Sequence, residues 1–523
     1  MNDTETGLLH EALARLPFSL LWSHAIATAL LLAAGVWILC PTPERVSAPF
    51  VGFGYSWEPK FFARLRFSSS ASLMIQEGYS KWKDSMYKIC RQDGDLVVLS
   101  RKYVDELKSL PAERLSAIDG LNFGGRYSGI DILSQSDIGT RAIQVRAPPD
   151  PKVLEAIAEA EADENHTQSE PSVGGNEKRA RVCASERSPD AENHRPHHEP
   201  ALRWATSLSR PRMVRSRLRP CAQRIVPPFI RPLLNLLLPT RWRYEAAIRR
   251  CQRLLVPEIL RRRLQGSEGG YEKPDDLLQG IMDLSTDDNG AENVAQRQIT
   301  ITLVAGHSTA AAGSHALFDL VARPRYAEEI RAEAEAEAEA MGAEKYSSNK
   351  LWKLDSFLRE CVRRYPAPRA PLMRNFSLLG FHRIVRDPAG ITLHDGVQLP
   401  VGTHICVAPY SISSDADIVE NPNDFDGLRY YRQRCEDPAH AMQHQHATAD
   451  KSHMHFGYGP WSCPGRFMAS DELKMILSTL LVRYEFRFPG GTSRPANGHV
   501  DEFPYVEPST ALLMRRRRDV DGS

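Results

Sequence analysis

The chain has 523 residues, enough for one large domain or several ordinary ones with a substantial buried core. Its 66 Lys and Arg residues balance 65 Asp and Glu residues, so bulk charge indicates no nucleic-acid partner. Nine cysteines, none in a CxxC pair, are typical of reduced thiols rather than of a secreted disulfide framework.

An apolar run near the N-terminus has the length of a membrane-crossing helix. Residues 18–40 read FSLLWSHAIATALLLAAGVWILC, and about 20 such residues span a hydrocarbon core. A cleaved signal peptide is the alternative, but acidic residues precede the run and no small-residue cleavage site is obvious. Basic residues follow the run, so the positive-inside tendency places residues 1–17 in the lumen and residues 41–523 in the cytoplasm.

The rest of the chain predicts mainly helices with small β-sheets. Residues 78–111 predict a helix, a strand hairpin and a second helix, and residues 293–324 predict one long buried helix. The Ala-Glu repeat at 331–345 predicts a solvated helix, because both residues are strong helix formers. Gly-containing turns and β-branched residues predict short strands at 390–411.

One segment lacks the composition of a packed core. Residues 128–203 contain no aromatic side chain, and 163–200 are polar with Pro, Gly and mixed charge. Such a stretch cannot bury enough apolar area to offset the entropy of ordering, so about 150–225 is predicted to be disordered. It is either a genuine insertion or a stretch translated from an inaccurate gene model.

A lone cysteine near the C-terminus lies in the sequence HFGYGPWSCPGRFMA, residues 455–469. Apolar residues recur at helical spacing from Arg466 to Tyr484, so Cys463 precedes a helix, whose N-terminal dipole favours a thiolate. Five histidines between 440 and 455 offer a structural zinc site as an alternative. Their polar surroundings lack a rigid frame, so a solvated loop is predicted instead.

The pattern Phe456-x-x-Gly459-x-x-x-Cys463-x-Gly465 resembles the haem-binding loop of the cytochrome P-450 family. The resemblance implies a haem cofactor, with Cys463 as the axial thiolate ligand of the iron. At position 461 the family commonly has Arg or His facing a haem propionate, whereas this chain has Trp461, which carries no charge.

Two further motifs follow the order that this family requires. The sequence ECVR resembles its Glu-x-x-Arg, with Glu360 and Arg363 on one helix face, and Arg429 matches the third member of its structural ion network. Arg383 matches a family arginine that binds a haem propionate.

The sequence AGHST, residues 305–309, resembles the family motif on the distal side of the haem. The resemblance implies catalytic roles for Gly306, which permits close approach, and for Ser308 and Thr309, which would handle protons. Ser308 replaces the usual acid and leaves open how protons arrive, although fungal secondary-metabolism members are similar here. The alternative is a row of small residues that packs helices, with Thr309 bonded to its own turn.

The resemblance implies a cytochrome P-450 fold over residues 41–523, anchored by one helix in the endoplasmic reticulum membrane. It implies a haem-dependent monooxygenase that receives electrons from NADPH-cytochrome P-450 reductase and oxidises an apolar small molecule. Biosynthesis of a terpenoid or polyketide-like secondary metabolite is the expected setting. Desaturation or rearrangement without net oxygen insertion is one alternative, and a catalytically impaired haem-binding member is the other.

Overall fold

The computed structural model describes Gly35 and residues 46–92, 94–122, 138–146, 178–180, 239–267, 270–285, 290–341, 348–364, 378–491, 493–505 and 510–517. The α-helices in this part are α1 Lys60–Trp82, α2 Val104–Leu107, α3 Ala117–Asn122, α4 Ile138–Arg146, α5 Pro239–Gly266, α6 Leu277–Leu284, α7 Ala291–Val321, α8 Pro324–Met341, α9 Trp352–Arg364, α10 Pro409–Ser413, α11 Arg429–Glu436 and α12 Arg466–Arg483. The strands are β1 Phe50–Val51, β2 Met86–Arg91, β3 Gly94–Leu99, β4 Leu115–Ser116, β5 Lys178–Ala180, β6 Gly380–Val385, β7 Ile391–Thr392, β8 Gln398–Leu399, β9 His404–Val407, β10 Tyr484–Arg487, β11 Gly498–Val500, β12 Phe503–Tyr505 and β13 Leu512–Arg516.

The largest described sheet joins strands from residues 50–116 with strands from residues 380–407. Its strand order is β1-β2-β3-β9-β6-β4, with β2 and β3 forming the predicted hairpin. Both faces carry buried apolar side chains, as the near-continuous apolar runs of β3 and β9 require. At the end of β2, Arg91 pairs with Glu502 of the β11–β12 turn at 3.0 Å, with both side chains fully buried.

Helix α7 is the longest described helix and packs against α5, α8, α9 and α12. It confirms the buried helix predicted at 293–324, and its C-terminal half lies in a core shared with α8, α9 and α12. Gly313 faces α12, where an added Cβ would lie 3.3 Å from a methyl carbon of Leu473. The two helices therefore pack closely at this point.

Helix α8 confirms the helical prediction for the Ala-Glu repeat but corrects its surroundings. Ile330 and Ala334 are fully buried, so one face of this helix lies in the core and only the opposite face is solvated. The reason is amphipathic spacing, because residues four positions apart share a helix face.

Two predictions concern segments that lie mainly outside the described residues. The anchor at 18–40 is represented only by Gly35, and none of the helices in the described part is both long and apolar enough to cross a membrane. From the segment 150–225, the structure describes β5, which pairs antiparallel with β13. The backbone of β5 thus finds sheet partners despite its polar sequence, and the prediction for the rest of the segment stays a prediction.

Candidate functional site

Cys463 lies in a turn fixed by backbone hydrogen bonds just before α12. Its N–H donates to the carbonyl of Phe456 at 2.7 Å, and the N–H of Arg466 donates to its carbonyl at 3.4 Å. A guanidinium hydrogen bond of 2.9 Å from Arg466 supports the same carbonyl. Cys463 is half-buried, unlike the fully buried Cys90, Cys361 and Cys406. Its position ahead of α12 confirms the predicted helix, although the helix begins at Arg466 and Gly465 is its N-cap.

The two glycines of this turn, Gly459 and Gly465, differ in how strictly the structure requires glycine at that position. Gly459 has a φ of +77°, and an added Cβ would lie 3.2 Å from the carbonyl oxygen of Lys108. Only glycine fits both conditions without strain. Gly465 has an ordinary φ, and an added Cβ would meet only Ile143 of α4 at 3.7 Å. Among the described residues, therefore, Gly459 packs against Lys108, and Gly465 faces Ile143 of α4.

The histidine-rich tract before the cysteine is not the solvated loop that its composition predicts. His446 and His453 are buried, and the ring of His455 lies 4.5 Å from that of Phe456. His446 also contacts the hydroxyl of Ser470 on α12 at 3.0 Å. Burial lowers the pKa of His453 well below its usual range, so this ring is neutral. Aromatic packing, which polar composition does not reveal, makes the tract a support for the Cys463 turn.

The structure brings together the three residues predicted to form an ion network. Glu360 and Arg363 make two parallel hydrogen bonds of 2.7 Å, and both side chains are fully buried. The Nε of Arg429 lies 3.5 Å from the Glu360 carboxylate. Burial opposes the charge on Arg363, but the Glu360 carboxylate outweighs it and the pKa of the guanidinium is raised. Arg363 also donates to backbone carbonyls of Ser413, Pro422 and Asp424.

Sequence reasoning missed two charged residues on the same helix. Arg359 donates to the carbonyls of Gln443 and Thr448 and pairs with Asp450, all within the histidine-rich tract. Asp355 accepts from the N–H of His446 at 2.9 Å. Their spacing of four residues puts Asp355 and Arg359 on one face of α9, and this was the signal available in the sequence. Helix α9 therefore holds the chain that leads into Cys463.

Helix α7 is exposed at the predicted small-residue motif, residues 305–309, rather than packed against another element. Ala305 and Gly306 are exposed although they lie in the middle of a long packed helix, and an added Cβ at Gly306 would meet nothing within 4 Å. The Ser308 hydroxyl donates back to the carbonyl of Ala305 at 3.0 Å. Thr309, by contrast, is buried. Burial raises the pKa of the Glu472 carboxyl on α12 to about 7, and the Thr309 hydroxyl opposes that rise.

Arg383 is a buried cation on β6. It donates to the carbonyl of His382 at 2.9 Å and its guanidinium lies 4.2 Å from the ring centre of Phe381. No carboxylate among the described residues lies within ion-pair distance of it, and burial lowers its pKa to about 9. A buried guanidinium of this kind needs an anionic partner. Trp461 lies two residues before Cys463 in the short 3₁₀ turn Gly459–Trp461 and is half-buried.

Comparison with known proteins identifies the family. The family model for cytochrome P450 matches residues 214–510. Cytochrome P450 monooxygenase terK of Tolypocladium album is 49% identical, over 99% of this chain and 99% of that protein. The chain belongs to the cytochrome P450 family. It is therefore a monooxygenase of a family that uses thiolate-ligated haem iron.

Other P450 relatives cover nearly as much of the chain. Cytochrome P450 monooxygenase ltmK of Epichloe festucae is 41% identical over 95% of this chain and 94% of its own length. A protein named ent-kaurene oxidase from Gibberella intermedia is 31% identical over 93% and 92%. The crystal structure of the cytochrome P450DA heme domain, at 16% identity, covers 91% of this chain and 98% of that one with a TM-score of 0.63, which shows the P450 fold.

The residues present fit a haem. Of the described cysteines, Cys90, Cys251 and Cys361 are buried with raised thiol pKa values, whereas Cys463 is half-buried in a fixed turn before a helix. Arg383 supplies a buried cation for a carboxylate. No three His, Cys, Asp or Glu side chains in the described ranges are grouped as ligands of a bare metal ion.

Replacement of Arg383 by methionine, which keeps the volume of the stem, is expected to loosen haem binding. A hydrogen bond to a charged group is worth about 1.5–3 kcal/mol, so haem should dissociate about 10- to 100-fold faster. The rate of haem transfer to an excess apo-globin measures this. Arg386→Met is the control, because Arg386 is exposed on the same segment and pairs with Asp119. Equal transfer rates for the two variants would contradict the assignment.

Proposed function

We propose that the chain is a membrane-bound P450 monooxygenase of secondary metabolism that oxidises an apolar small molecule, with Cys463 as the haem ligand. The observation that carries the proposal is the half-buried thiol of Cys463, held in a turn by the Phe456 carbonyl ahead of α12. When bound, the haem would combine dioxygen with two electrons and two protons, leaving one oxygen atom in the product and one in water. NADPH-cytochrome P450 reductase is the proposed electron donor.

The protein's own side chains would bind and orient the reactants. Arg383 would bind a haem carboxylate, because it is a buried cation without a carboxylate partner among the described residues. Gly306 leaves open space beside α7, where substrate and dioxygen could approach. Thr309 would move protons, and the Glu360 network would keep the chain that carries Cys463 in place.

A terpenoid or polyketide-like substrate is proposed. The relative named ent-kaurene oxidase supports a terpenoid, since its name specifies oxidation of ent-kaurene. A membrane-bound enzyme can also collect apolar substrates directly from the bilayer.

Membrane attachment is supported by an exposed apolar face whose residues follow the predicted anchor in the sequence. Tyr55 and Trp57 stack with ring centres 5.6 Å apart, and Trp57 is 79% exposed. Phe62, Leu65 and Leu73 are exposed on one side of α1. Tyr and Trp are enriched where proteins meet the lipid interface. We therefore place this face against the cytoplasmic surface of the endoplasmic reticulum membrane, with residues 18–40 crossing it.

Turnover under isotopically labelled dioxygen tests the function. The full chain is combined with its reductase, NADPH and an extract of apolar metabolites from a strain that lacks the gene. We expect consumption of one metabolite and one labelled oxygen atom in its product. An unlabelled product with fewer hydrogens or a rearranged skeleton would instead establish desaturation or rearrangement. A chain that binds haem but consumes no metabolite and no NADPH would indicate the impaired alternative and refute the proposal.

A further inference from the structure

We propose that a second buried ion cluster positions Cys463 for iron ligation and that His446 carries its effect to the cysteine. The members of the cluster are Asp355, Arg434, Asp471 and Lys474. It shares helix α9 with the Glu360 network but none of its side chains. The inference rests on the proposed function, because it takes Cys463 as the haem ligand. The four charged residues act on the cysteine through other residues, so they are positioning residues.

The cluster joins α9 to α11 and α12. On α9, each carboxylate oxygen of Asp355 has its own cation, with the Nζ of Lys474 3.4 Å from Oδ1 and Arg434 donating to Oδ2 at 3.2 Å. Lys474 also pairs with Asp471 at 2.9 Å. Every side chain in the cluster is at most 9% exposed. Two carboxylates and two cations therefore balance one another, and removal of one member leaves a buried charge without its partner.

His446 is held by this cluster and by the helix that carries Lys474. The Oδ2 atom of Asp355 accepts from the N–H of His446 at 2.9 Å. Because both oxygens of Asp355 are engaged by cations, the carboxylate keeps one orientation toward this N–H. Ser470 lies one turn before Lys474 on α12, and its hydroxyl hydrogen-bonds to Nδ1 of His446 at 3.0 Å. Residues four positions apart share a helix face, so α12 engages both residues from one side.

From His446, ring contacts lead to the backbone of Cys463. The His446 ring stacks on that of His455 with ring centres 5.5 Å apart and meets the edge of Phe456 at 5.3 Å. The carbonyl of Phe456 then accepts from the N–H of Cys463 at 2.7 Å. An unbroken series of contacts thus connects Lys474 with the turn that holds the thiol. Partners behind a metal ligand orient that ligand and commonly affect metal binding about 10- to 100-fold.

A merely structural role for the cluster predicts a different result, and the chain offers a matched control. The pair of Arg91 and Glu502 is also fully buried, at 3.0 Å, and joins β2 to the β11–β12 turn. Arg91→Met leaves an uncompensated carboxylate, as Lys474→Met does, so both variants should lower the free energy of unfolding. The iron ligand should be affected by Lys474→Met and unaffected by Arg91→Met.

Loss of the thiolate-type spectrum measures this difference. The full chain is loaded with haem and reduced under carbon monoxide, and the decay of the spectrum is followed without substrate. In Lys474→Met the decay should be about 10-fold faster than in the wild type. Arg91→Met should decay at the wild-type rate, and Lys474→Arg, which keeps the cation, should recover most of the stability of the spectrum. Equal decay rates in Lys474→Met and Arg91→Met overturn the proposal.

A double variant tests the route through His446. His446→Ala removes the ring that contacts Phe456 and should by itself accelerate the decay. If the effect of Lys474 passes through this ring, adding Lys474→Met to His446→Ala should change the decay rate by less than about 2-fold, because residues in one series of contacts are not additive. A full effect of Lys474→Met in the His446→Ala background overturns the route.

The outcomes separate this inference from the proposed function. If the haem-loaded wild type shows no thiolate-type spectrum, the proposed function fails and the positioning role fails with it. If the wild type shows that spectrum while Lys474→Met decays no faster than Arg91→Met, only the positioning role fails. Should Lys474→Met not fold, Asp355→Asn decides in its place, because it removes the charge but keeps an oxygen for the N–H of His446. Wild-type decay in a folded Asp355→Asn then overturns the proposal.

Discussion

Replacement of Cys463 by serine is expected to abolish monooxygenase turnover and to remove the thiolate signature from the spectrum of the reduced protein under carbon monoxide. A serine hydroxyl remains protonated where a thiol becomes a thiolate, so it cannot take over the strong electron donation of sulfur to iron. Because the turn is held by backbone hydrogen bonds, this exchange should leave the fold intact. Spectra and turnover of the full chain with reductase measure the effect.

Cys435→Ser is the matched control for that experiment. Cys435 is exposed on α11 and lies outside the turn, so its variant should keep the wild-type spectrum and activity. A wild-type spectrum in Cys463→Ser, or loss of the spectrum in Cys435→Ser, would show that the ligand has been assigned to the wrong cysteine.

Replacement of Glu360 by glutamine is expected to lower the free energy of unfolding by about 3–5 kcal/mol, because it leaves the Arg363 guanidinium buried and uncompensated. Total domain stability is typically about 5–15 kcal/mol, so much of the chain should be unfolded or haem-free at growth temperature. Denaturant unfolding of the purified protein and haem content per chain are the measurements.

The nearby pair of Arg432 and Asp426 offers a control, since Arg432 is largely exposed. Arg432→Gln should change the free energy of unfolding by less than about 1 kcal/mol. The double variant Glu360→Gln with Arg363→Met should recover part of the loss, because no charge is then buried alone. Recovery should stay incomplete, since three backbone carbonyls lose their donor. Equal destabilisation by Glu360→Gln and Arg432→Gln would contradict a buried network.

The sequence was most informative where local periodicity decides structure. The β2–β3 hairpin, α7, α8 and α12 were all predicted, because apolar spacing and residue propensity act over a few residues. The motifs also follow one another along the chain in the order found in the P450 family, which supported the resemblance. Comparison with known proteins then confirmed the P450 assignment.

The sequence was least informative where distant polar residues meet. Nothing in the spacing of the histidine-rich tract shows that Arg359 and Asp355 of α9 bind its backbone. The effect of Thr309 on the pKa of Glu472 likewise depends on how α7 packs against α12. From sequence alone, a polar residue is predicted to be exposed to solvent unless its hydrogen-bond partner is known. The partners of these residues lie far away in the sequence, so local patterns do not reveal them.

The buried pair of Arg91 and Glu502 has a consequence for biosynthesis. Its members are 411 residues apart, so at about 5–20 residues per second a ribosome needs roughly 20–80 s to reach the second after making the first. Until then Arg91, which is fully buried at the end of β2, lacks its carboxylate partner, and a buried charge without a partner destabilises a fold by about 3–5 kcal/mol. We therefore expect the part of the core around Arg91 to form only when synthesis is nearly complete.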